Sequence, residues 1–222
     1  MEHKRLTLFA GHYGSGKTNI AVNYAMQLAD EGKKVCIADL DIVNPYFRTK
    51  DSERELSEKG ITLISPRYAN TNVDLPALPA ESYRLVQDQS VYGVMDIGGD
   101  DRGAYALGRF SEAIKAENDY RMAFVINRFR PLTSTVEDTV EIMHEIENAC
   151  GIKFNCIVNN SNIGNETSVD TVRESVSFAE EVSRVTGLPI WIHTVEKNIA
   201  EGVSDLPILP LTLQKKYFDL PN

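Results

Sequence analysis

Eight consecutive residues near the start of the chain have the types and spacing of a loop that binds phosphate. They are Gly11, His12, Tyr13, Gly14, Ser15, Gly16, Lys17 and Thr18. The glycines allow several backbone N–H groups to converge at the start of a helix, where they can hold phosphate oxygens. Lys17 would add a positive charge for the β- and γ-phosphates, and the Thr18 hydroxyl could ligate an accompanying Mg²⁺. We therefore predict that this phosphate-binding loop (residues 11–18) binds a nucleotide and that Lys17 acts in catalysis.

A second candidate site follows the apolar run Val91–Met95, where Asp96 and Ile97 precede Gly98 and Gly99. An aspartate at the end of a buried strand can hold Mg²⁺ through water. The amide of either glycine can sense a γ-phosphate, as in loops that this group orders. At this distance after a phosphate-binding loop, the pattern favours a metal-binding role for Asp96 over that of a turn residue.

Two further carboxylates, Asp39 and Asp41, follow the apolar run Val35–Ala38. In an open sheet of this class, ligands bind at the carboxyl edge of the strands. We expect one carboxylate to face the phosphate pocket and the other to support it or the adjoining loop. Asp41 is our candidate for orienting the attacking water and for contacting Mg²⁺ through water.

Asparagines follow two later apolar runs. Asn127 comes after Val125 and Ile126, and Asn159 and Asn160 come after the run 156–158. An asparagine amide offers both a donor and an acceptor, which suits the edge of a purine base. The same residue type is equally suited to a turn, so the residues alone leave both interpretations open.

Short apolar runs alternate with longer segments of helical period along the whole chain, a pattern typical of a parallel sheet covered by helices on both faces. We predict an α/β fold with a mostly parallel sheet of about seven strands. The first helix should run from the phosphate-binding loop to about Glu31. At 222 residues without a linker or repeat, we expect residues 1–222 to form a single domain.

Two later helices are marked by pairs that are typical of capping boxes: Ser134 with Glu137, and Thr167 with Asp170. Apolar residues recur at helical spacing behind each pair. The stripes are Val136, Val140, Met143 and Ile146, and then Val169, Val172, Val176 and Ala179. We interpret both stripes as core positions rather than binding surfaces.

Composition narrows the range of partners. The net charge of −9 argues against a basic face for nucleic acid. No apolar run approaches the ~20 residues of a membrane span, and we expect a cytoplasmic protein. The segment Leu211–Phe218 is only slightly amphipathic, so membrane binding is not expected.

The three cysteines form no metal-binding pair, and we assign no disulfide or metal site to them.

Together, residues 11–18, the pair Asp39 and Asp41, the Asp96 motif with its two glycines, and an asparagine that closes a late strand resemble one family. It is the P-loop ATPase family that includes ParA, MinD, the nitrogenase iron protein, and the cobyrinate and dethiobiotin synthetases. The resemblance implies a P-loop NTPase fold in which the Asp96 strand lies beside the strand of the phosphate-binding loop. It also implies that Asn159, with Asn160 beside it, reads adenine.

The same resemblance implies a Mg²⁺-ATP-binding protein with slow ATPase activity, whose nucleotide state governs association with a protein partner or a second copy of the chain. An alternative is a synthetase or kinase that phosphorylates a small carboxylate or amine, with Arg48, Arg67 or Arg84 holding the substrate. One position departs from the family. Many members carry a second lysine directly after the first glycine of the loop, where this chain has His12.

Overall fold

The carboxyl edge of a single parallel sheet carries the phosphate-binding loop. The structure is a computed structural model that describes residues 2–40, 49–65, 82–99 and 101–213, with only the backbone described at residues 50, 51, 101 and 102. Its strands are β1 (Leu6–Ala10), β2 (Val35–Leu40), β3 (Thr62–Ile64), β4 (Tyr92–Ile97), β5 (Tyr120–Ile126), β6 (Cys156–Asn159), β7 (Ile190–Glu196) and β8 (Ile208–Leu211). All neighbouring strands are parallel, in the order β3-β2-β4-β1-β5-β6-β7-β8.

Helices connect most of these strands. They are α1 (Lys17–Asp30), α2 (Glu53–Glu58), α3 (Ser82–Gln87), α4 (Asp101–Gly108), α5 (Ser111–Glu117), α6 (Val136–Cys150) and α7 (Val169–Thr186). Short 3₁₀ turns precede α2, α6 and α7, and another joins β7 to β8. The α/β class and the parallel sheet are confirmed. Among the described residues the sheet has eight strands, close to the predicted seven, with β8 as a short strand at one edge.

The sheet is buried on both faces, as β5 shows. Met122, Phe124 and Ile126 face one apolar cluster, while Ala123 and Val125 face another. Helices α3 to α7 contribute to the first cluster, and α1 and α2 contribute to the second. Strands buried on both faces are near-continuous apolar runs, which is why the sequence signal was strong.

Strand β1 lies between β4 and β5, so the chain leaves β4 on one side of β1 and returns as β5 on the other. Open α/β sheets bind ligands in the crevice at such a switch point, outside the carboxyl ends of the strands. The phosphate-binding loop follows β1 directly, at this point. Phe9 of β1 is paired in register with Asp96 of β4, which confirms the implied neighbourhood of the two strands.

The caps of the two long helices differ from the prediction by one residue. Thr135, not Ser134, caps α6 and accepts a hydrogen bond from the amide of Asp138 at 3.1 Å. Ser168, not Thr167, caps α7 in a reciprocal pair with Thr171. The predicted pairs were wrong because neighbouring hydroxyl residues compete for the cap, and backbone direction decides between them.

The apolar stripes of both helices lie in the interior or pack against it. Met143 and Ile146 of α6 and Ala179 of α7 belong to one core cluster. Val172 of α7 lies in a smaller cluster with Val195 and Val203. Most stripe positions are therefore core, as predicted, whereas Val176 is only partly buried. No described helix is both long and apolar enough to cross a membrane.

Candidate nucleotide-binding site

The phosphate-binding loop turns tightly between β1 and α1. The amide of Ser15 donates to the carbonyl of His12 at 3.1 Å, and Gly14 and Gly16 both have left-handed backbones. Gly16 is the residue before the first helical turn, with φ at 91°. A Cβ at this position would lie 2.2 Å from the side-chain nitrogen of Asn160. Glycine is therefore required here both by backbone angle and by the close approach of a neighbour.

Lys17 and Thr18 form the first turn of α1 and are buried, with 4% and 7% of their surfaces exposed. The Lys17 amine folds back over the loop and donates to the carbonyl of His12 at 3.2 Å. The hydroxyl of Ser15 is buried and has no hydrogen-bond partner within the described part of the chain. A buried hydroxyl without a partner is costly, and a phosphate oxygen in the loop would satisfy it. The loop therefore fits a bound phosphate group.

Asp96 is the penultimate residue of β4, and its side chain is fully buried. One carboxylate oxygen accepts a hydrogen bond from the Thr49 hydroxyl at 3.2 Å, and Thr49 is itself fully buried. Sequence reasoning did not identify Thr49, because a lone threonine has no distinctive spacing. Its contact links the carboxylate to the segment that follows β2.

Asp39 is the register partner of Asp96 on the neighbouring strand β2, and its side chain is also buried. Both residues lie on the sheet face covered by α1, because Ile37 and Val94, two residues earlier in each strand, pack in the α1 cluster. A cation beside these two buried carboxylates would offset their mutual repulsion, and a metal-binding role for Asp96 stays a prediction. With the Thr18 hydroxyl, these oxygens are of the type that Mg²⁺ prefers.

The chain after β4 lies directly against the phosphate-binding loop. A Cβ at Gly99 would lie 2.5 Å from the amide nitrogen of Tyr13 and 2.9 Å from the carbonyl oxygen of Gly11. A Cβ at Gly103 of α4 would in turn lie 2.6 Å from Gly98. The backbones of the phosphate-binding loop, of the chain after β4 and of α4 are therefore in direct contact. A side chain at Gly99 or Gly103 would force these segments apart.

Asn160 holds the loop from the other side. Its side-chain nitrogen donates to the carbonyl of Ser15 at 2.5 Å, and its oxygen accepts from the Thr194 hydroxyl of β7. The residue is 4% exposed. Asn160 therefore joins the phosphate-binding loop to β6 and β7.

Asn159 lies on the opposite side of β6, buried against α7. Its side-chain nitrogen is 2.9 Å from the Ser175 hydroxyl and 3.1 Å from Nδ1 of His193. Its oxygen accepts from the amide of Ser161 at 3.2 Å. An amide nitrogen can only donate, so Nδ1 of His193 accepts from Asn159, and burial lowers the pKa of the ring. That Asn159 binds the adenine base stays a prediction. Its side chain would have to give up its hydrogen bonds with Ser175, His193 and Ser161 to bind the base.

The loop after β5 completes the edge of the site. Asn127 is fully buried, and its oxygen accepts from the amide of Phe129 at 3.0 Å, as in an asparagine turn. The side chain of Arg130 reaches across and donates to the carbonyl of Gly14 at 2.9 Å. His12 donates from Nδ1 to the carbonyl of Tyr13 at 2.8 Å and stays within its own loop. Arg130 was missed because its contact connects residues 116 positions apart.

Some predicted residues lie away from this site or outside the described part. Asp41, Arg48 and Arg67 lie outside the described residues. Arg84 is exposed on α3. The carbonyl of its neighbour Leu85 accepts from the side chain of Arg5, which precedes β1, so this part of α3 lies at the amino edge of the sheet. The structure therefore does not bring Arg84 to the phosphate-binding loop.

The part of the chain that carries the loop and the carboxylates also matches a protein-family model. The model of the CobQ/CobB/MinD/ParA nucleotide binding domain matches residues 6–166. This chain belongs to that family. The match includes the phosphate-binding loop, Asp96, Asn159 and Asn160, so the chain is a nucleotide-binding P-loop domain of the MinD/ParA type. Comparison with curated proteins gives no significant match.

Solved structures share the fold of this MinD/ParA-type domain. FtsY from Thermotoga maritima is 18% identical, with a TM-score of 0.59 over 86% of this chain and 62% of that one. The signal recognition particle 54 kDa protein from Aeropyrum pernix, solved with GDP, is 19% identical, with a TM-score of 0.54 over 85% and 41%. FtsY from Mycoplasma mycoides is 16% identical, with a TM-score of 0.57 over 88% and 61%. The chain thus spans 41 to 62% of the length of these proteins.

Proposed function

We propose that this domain binds Mg²⁺-ATP, hydrolyses it slowly, and changes its association with a protein partner according to the nucleotide bound. The observation that carries the proposal is the contact of Gly99 with the phosphate-binding loop. A γ-phosphate held by that loop would be close to the chain after β4, because Gly99 lies against the loop backbone. Its arrival or loss would move Gly98 and Gly99, and through Gly103 it would move α4.

In this mechanism the amides of the phosphate-binding loop and the Lys17 amine hold the phosphate oxygens and offset the charge that develops on them. Thr18 and Asp96 would hold Mg²⁺, and Asp41 would contact it through water. The metal, when bound, neutralises further charge on the β- and γ-phosphates. Asp41 would also position the attacking water, a role that we carry over as a proposal.

A protein partner or second copy would meet the exposed apolar side chains at the carboxyl edge. Tyr13 is 53% exposed and Leu132 is 59% exposed, and Phe129 and Ile163 are exposed as well. These residues lie in loops that follow β1, β5 and β6, which are adjacent strands. Apolar side chains grouped around a ligand site favour contact with another protein over contact with water alone.

The nucleotide assignment is tested with Lys17→Ala. The substitution removes a charged donor to phosphate, a contact that contributes about 1.5–3 kcal/mol, so ATP affinity should fall about 10- to 100-fold. Titration calorimetry with ATP and with GTP measures the affinity and the base preference. Lys115→Ala, at an exposed lysine on α5, is the matched control and should bind as the unaltered chain does. Equal affinity in the Lys17 variant would refute the assignment.

The switch is tested with Gly99→Ala. We expect amide hydrogen exchange in α4 to differ between the ADP state and a non-hydrolysable ATP analogue in the unaltered chain. The added methyl group should remove most of that difference, because it separates the chain after β4 from the phosphate-binding loop. Gly108→Ala is the control, since its Cβ would meet nothing closer than 3.7 Å. Identical exchange in both nucleotide states of the unaltered chain would overturn the switch.

The same preparations distinguish hydrolysis from phosphoryl transfer. Release of phosphate from ATP with no added small molecule supports the switch. Strict dependence on a second substrate would instead show a synthetase or kinase. Asn159→Ala, measured with ATP and GTP, decides whether this buried amide reads the base, and an unchanged ratio of affinities would give it a purely structural role.

A further inference from the structure

Arg130 lies in the loop that follows β5, and hydrogen bonds fix its backbone on both sides. Its amide donates to the carbonyl of Asn127 at 3.1 Å, and its carbonyl accepts from the amide of Thr133 at 3.0 Å. The Thr133 hydroxyl also donates to the Asn127 carbonyl, at 2.7 Å. Asn127 and Thr133 are both buried. The point from which the Arg130 side chain extends is therefore held by buried neighbours.

The side chain of Arg130 crosses from this loop to the phosphate-binding loop. Its Nε donates to the carbonyl of Gly14 at 2.9 Å. A Cβ at Gly14 would lie 3.5 Å from Nε and 3.8 Å from Cζ, so the guanidinium packs over the glycine. Both residues are exposed. An exposed hydrogen bond adds little to stability, because water can replace either partner. The contact therefore positions the guanidinium more than it stabilises the fold.

The outer end of the Arg130 side chain is available to a ligand. Within the part of the chain that the structure describes, its terminal nitrogens, Nη1 and Nη2, make no hydrogen bond or ion pair. Its neighbour Arg128 turns away and donates to a carbonyl of α7 at 3.2 Å. Four other arginines are each paired with a carboxylate: Arg5, Arg54, Arg173 and Arg184. Arg130 thus presents N–H donors and a flat face beside the phosphate-binding loop.

The position of Arg130 in the sheet indicates which part of a nucleotide it would meet. Asp39 and Asp96 lie near the carboxyl ends of β2 and β4, on one side of β1. Arg130 follows β5, on the other side of β1. In the proposed function the metal and the γ-phosphate lie on the β4 side. The nucleoside would then extend over the ends of β5 and β6, toward Arg130.

The group to which Arg130 binds points to the same part of the nucleotide. In a phosphate-binding loop the amides converge on the phosphates, whereas a carbonyl oxygen repels phosphate oxygens. A guanidinium held by the Gly14 carbonyl therefore lies outside the space that the phosphates fill. Ribose oxygens can accept hydrogen bonds from its N–H groups, and a base can stack on its plane.

We propose that Arg130 binds the nucleoside part of the nucleotide, an inference that rests on the nucleotide binding proposed above. Nη1 and Nη2 donate to ribose oxygens, and the flat face of the guanidinium stacks on the base. Arg130 acts in binding and takes no part in hydrolysis. Because every base has a face on which a guanidinium can stack, this contact holds ATP and GTP alike.

The test is calorimetric titration of the full chain and of Arg130→Gln with ATP and with ADP. We expect both affinities to fall by the same factor, about 10-fold, because the stacking and the ribose hydrogen bonds are lost. Inorganic triphosphate, measured by its competition with ATP, should bind both chains equally, since it has no nucleoside. Arg184→Gln is the matched control, because Arg184 lies exposed on α7, paired with Glu181.

Each other outcome refutes the nucleoside contact in a different way. A loss confined to ATP would place Arg130 at the γ-phosphate. An equal loss for inorganic triphosphate would show that the variant has a distorted phosphate-binding loop. If the unaltered chain bound neither ATP nor ADP, the proposed function and this inference would fail together. If the unaltered chain bound both nucleotides and Arg130→Gln bound them equally well, this inference alone would be wrong.

Discussion

Replacing Asn160 by alanine would remove a side chain that lies beneath the phosphate-binding loop without belonging to it. The side-chain nitrogen of Asn160 is the donor to the Ser15 carbonyl, at 2.5 Å. Its oxygen is an acceptor for the Thr194 hydroxyl. In the variant, that hydroxyl can still reach the carbonyl of Asn159, 3.5 Å away. The main loss is therefore the donor to Ser15.

The expected decreases in stability and in nucleotide affinity follow from the loss of this one hydrogen bond. Ser15 is 1% exposed, so its carbonyl would be left without water as well as without a donor. Leaving such a group unpaired costs about 1–3 kcal/mol, which is the expected decrease in the free energy of unfolding. If the loop relaxes to avoid this cost, nucleotide binding must restore its geometry. Affinity should then fall by up to about 100-fold for the same free energy.

Denaturant unfolding and calorimetric titration with nucleotide measure the two quantities on the same samples. Asn165→Ala is the matched control, because Asn165 is exposed in the loop that follows β6. Asn160→Asp should be worse than alanine, since it places a carboxylate oxygen against the Ser15 carbonyl. If Asn160→Ala retained both the stability and the nucleotide affinity of the unaltered chain, the role assigned to Asn160 would be wrong.

Two further predictions concern buried titratable groups. Burial lowers the folded-state pKa of His193 below its usual 6.5, so the unfolded chain binds more protons in that range. The free energy of unfolding should therefore decrease as pH falls below about 6.5, and denaturation of His193→Gln should show a smaller decrease. The second concerns the thiols of Cys36 and Cys156, whose pKa values burial raises to about 11 and about 12. Alkylation by iodoacetamide at pH 8 should be at least ~100-fold slower in the native chain than in the denatured one, and comparable rates would contradict their burial.

Sequence patterns correctly predicted the features that depend only on residues close together in the chain. The loop of residues 11–18 and the start of α1 at Lys17 follow from glycines and a helical period within one short segment. The buried strands were recognisable because both of their faces are apolar. The alternation of strands and helices then favoured a parallel sheet, since parallel strands need crossover connections.

Tertiary structure decided what depends on contacts between distant segments. Asn159 and Asn160 are adjacent and chemically identical, yet one is buried against α7 and the other holds the phosphate-binding loop. Only the position of β6 beside β5 and β7 separates these two roles. The contact of Thr49 with Asp96 likewise joins residues 47 positions apart. Such hydrogen bonds leave no periodic signal in a sequence, because their geometry is set by the packing of whole elements rather than by local propensity.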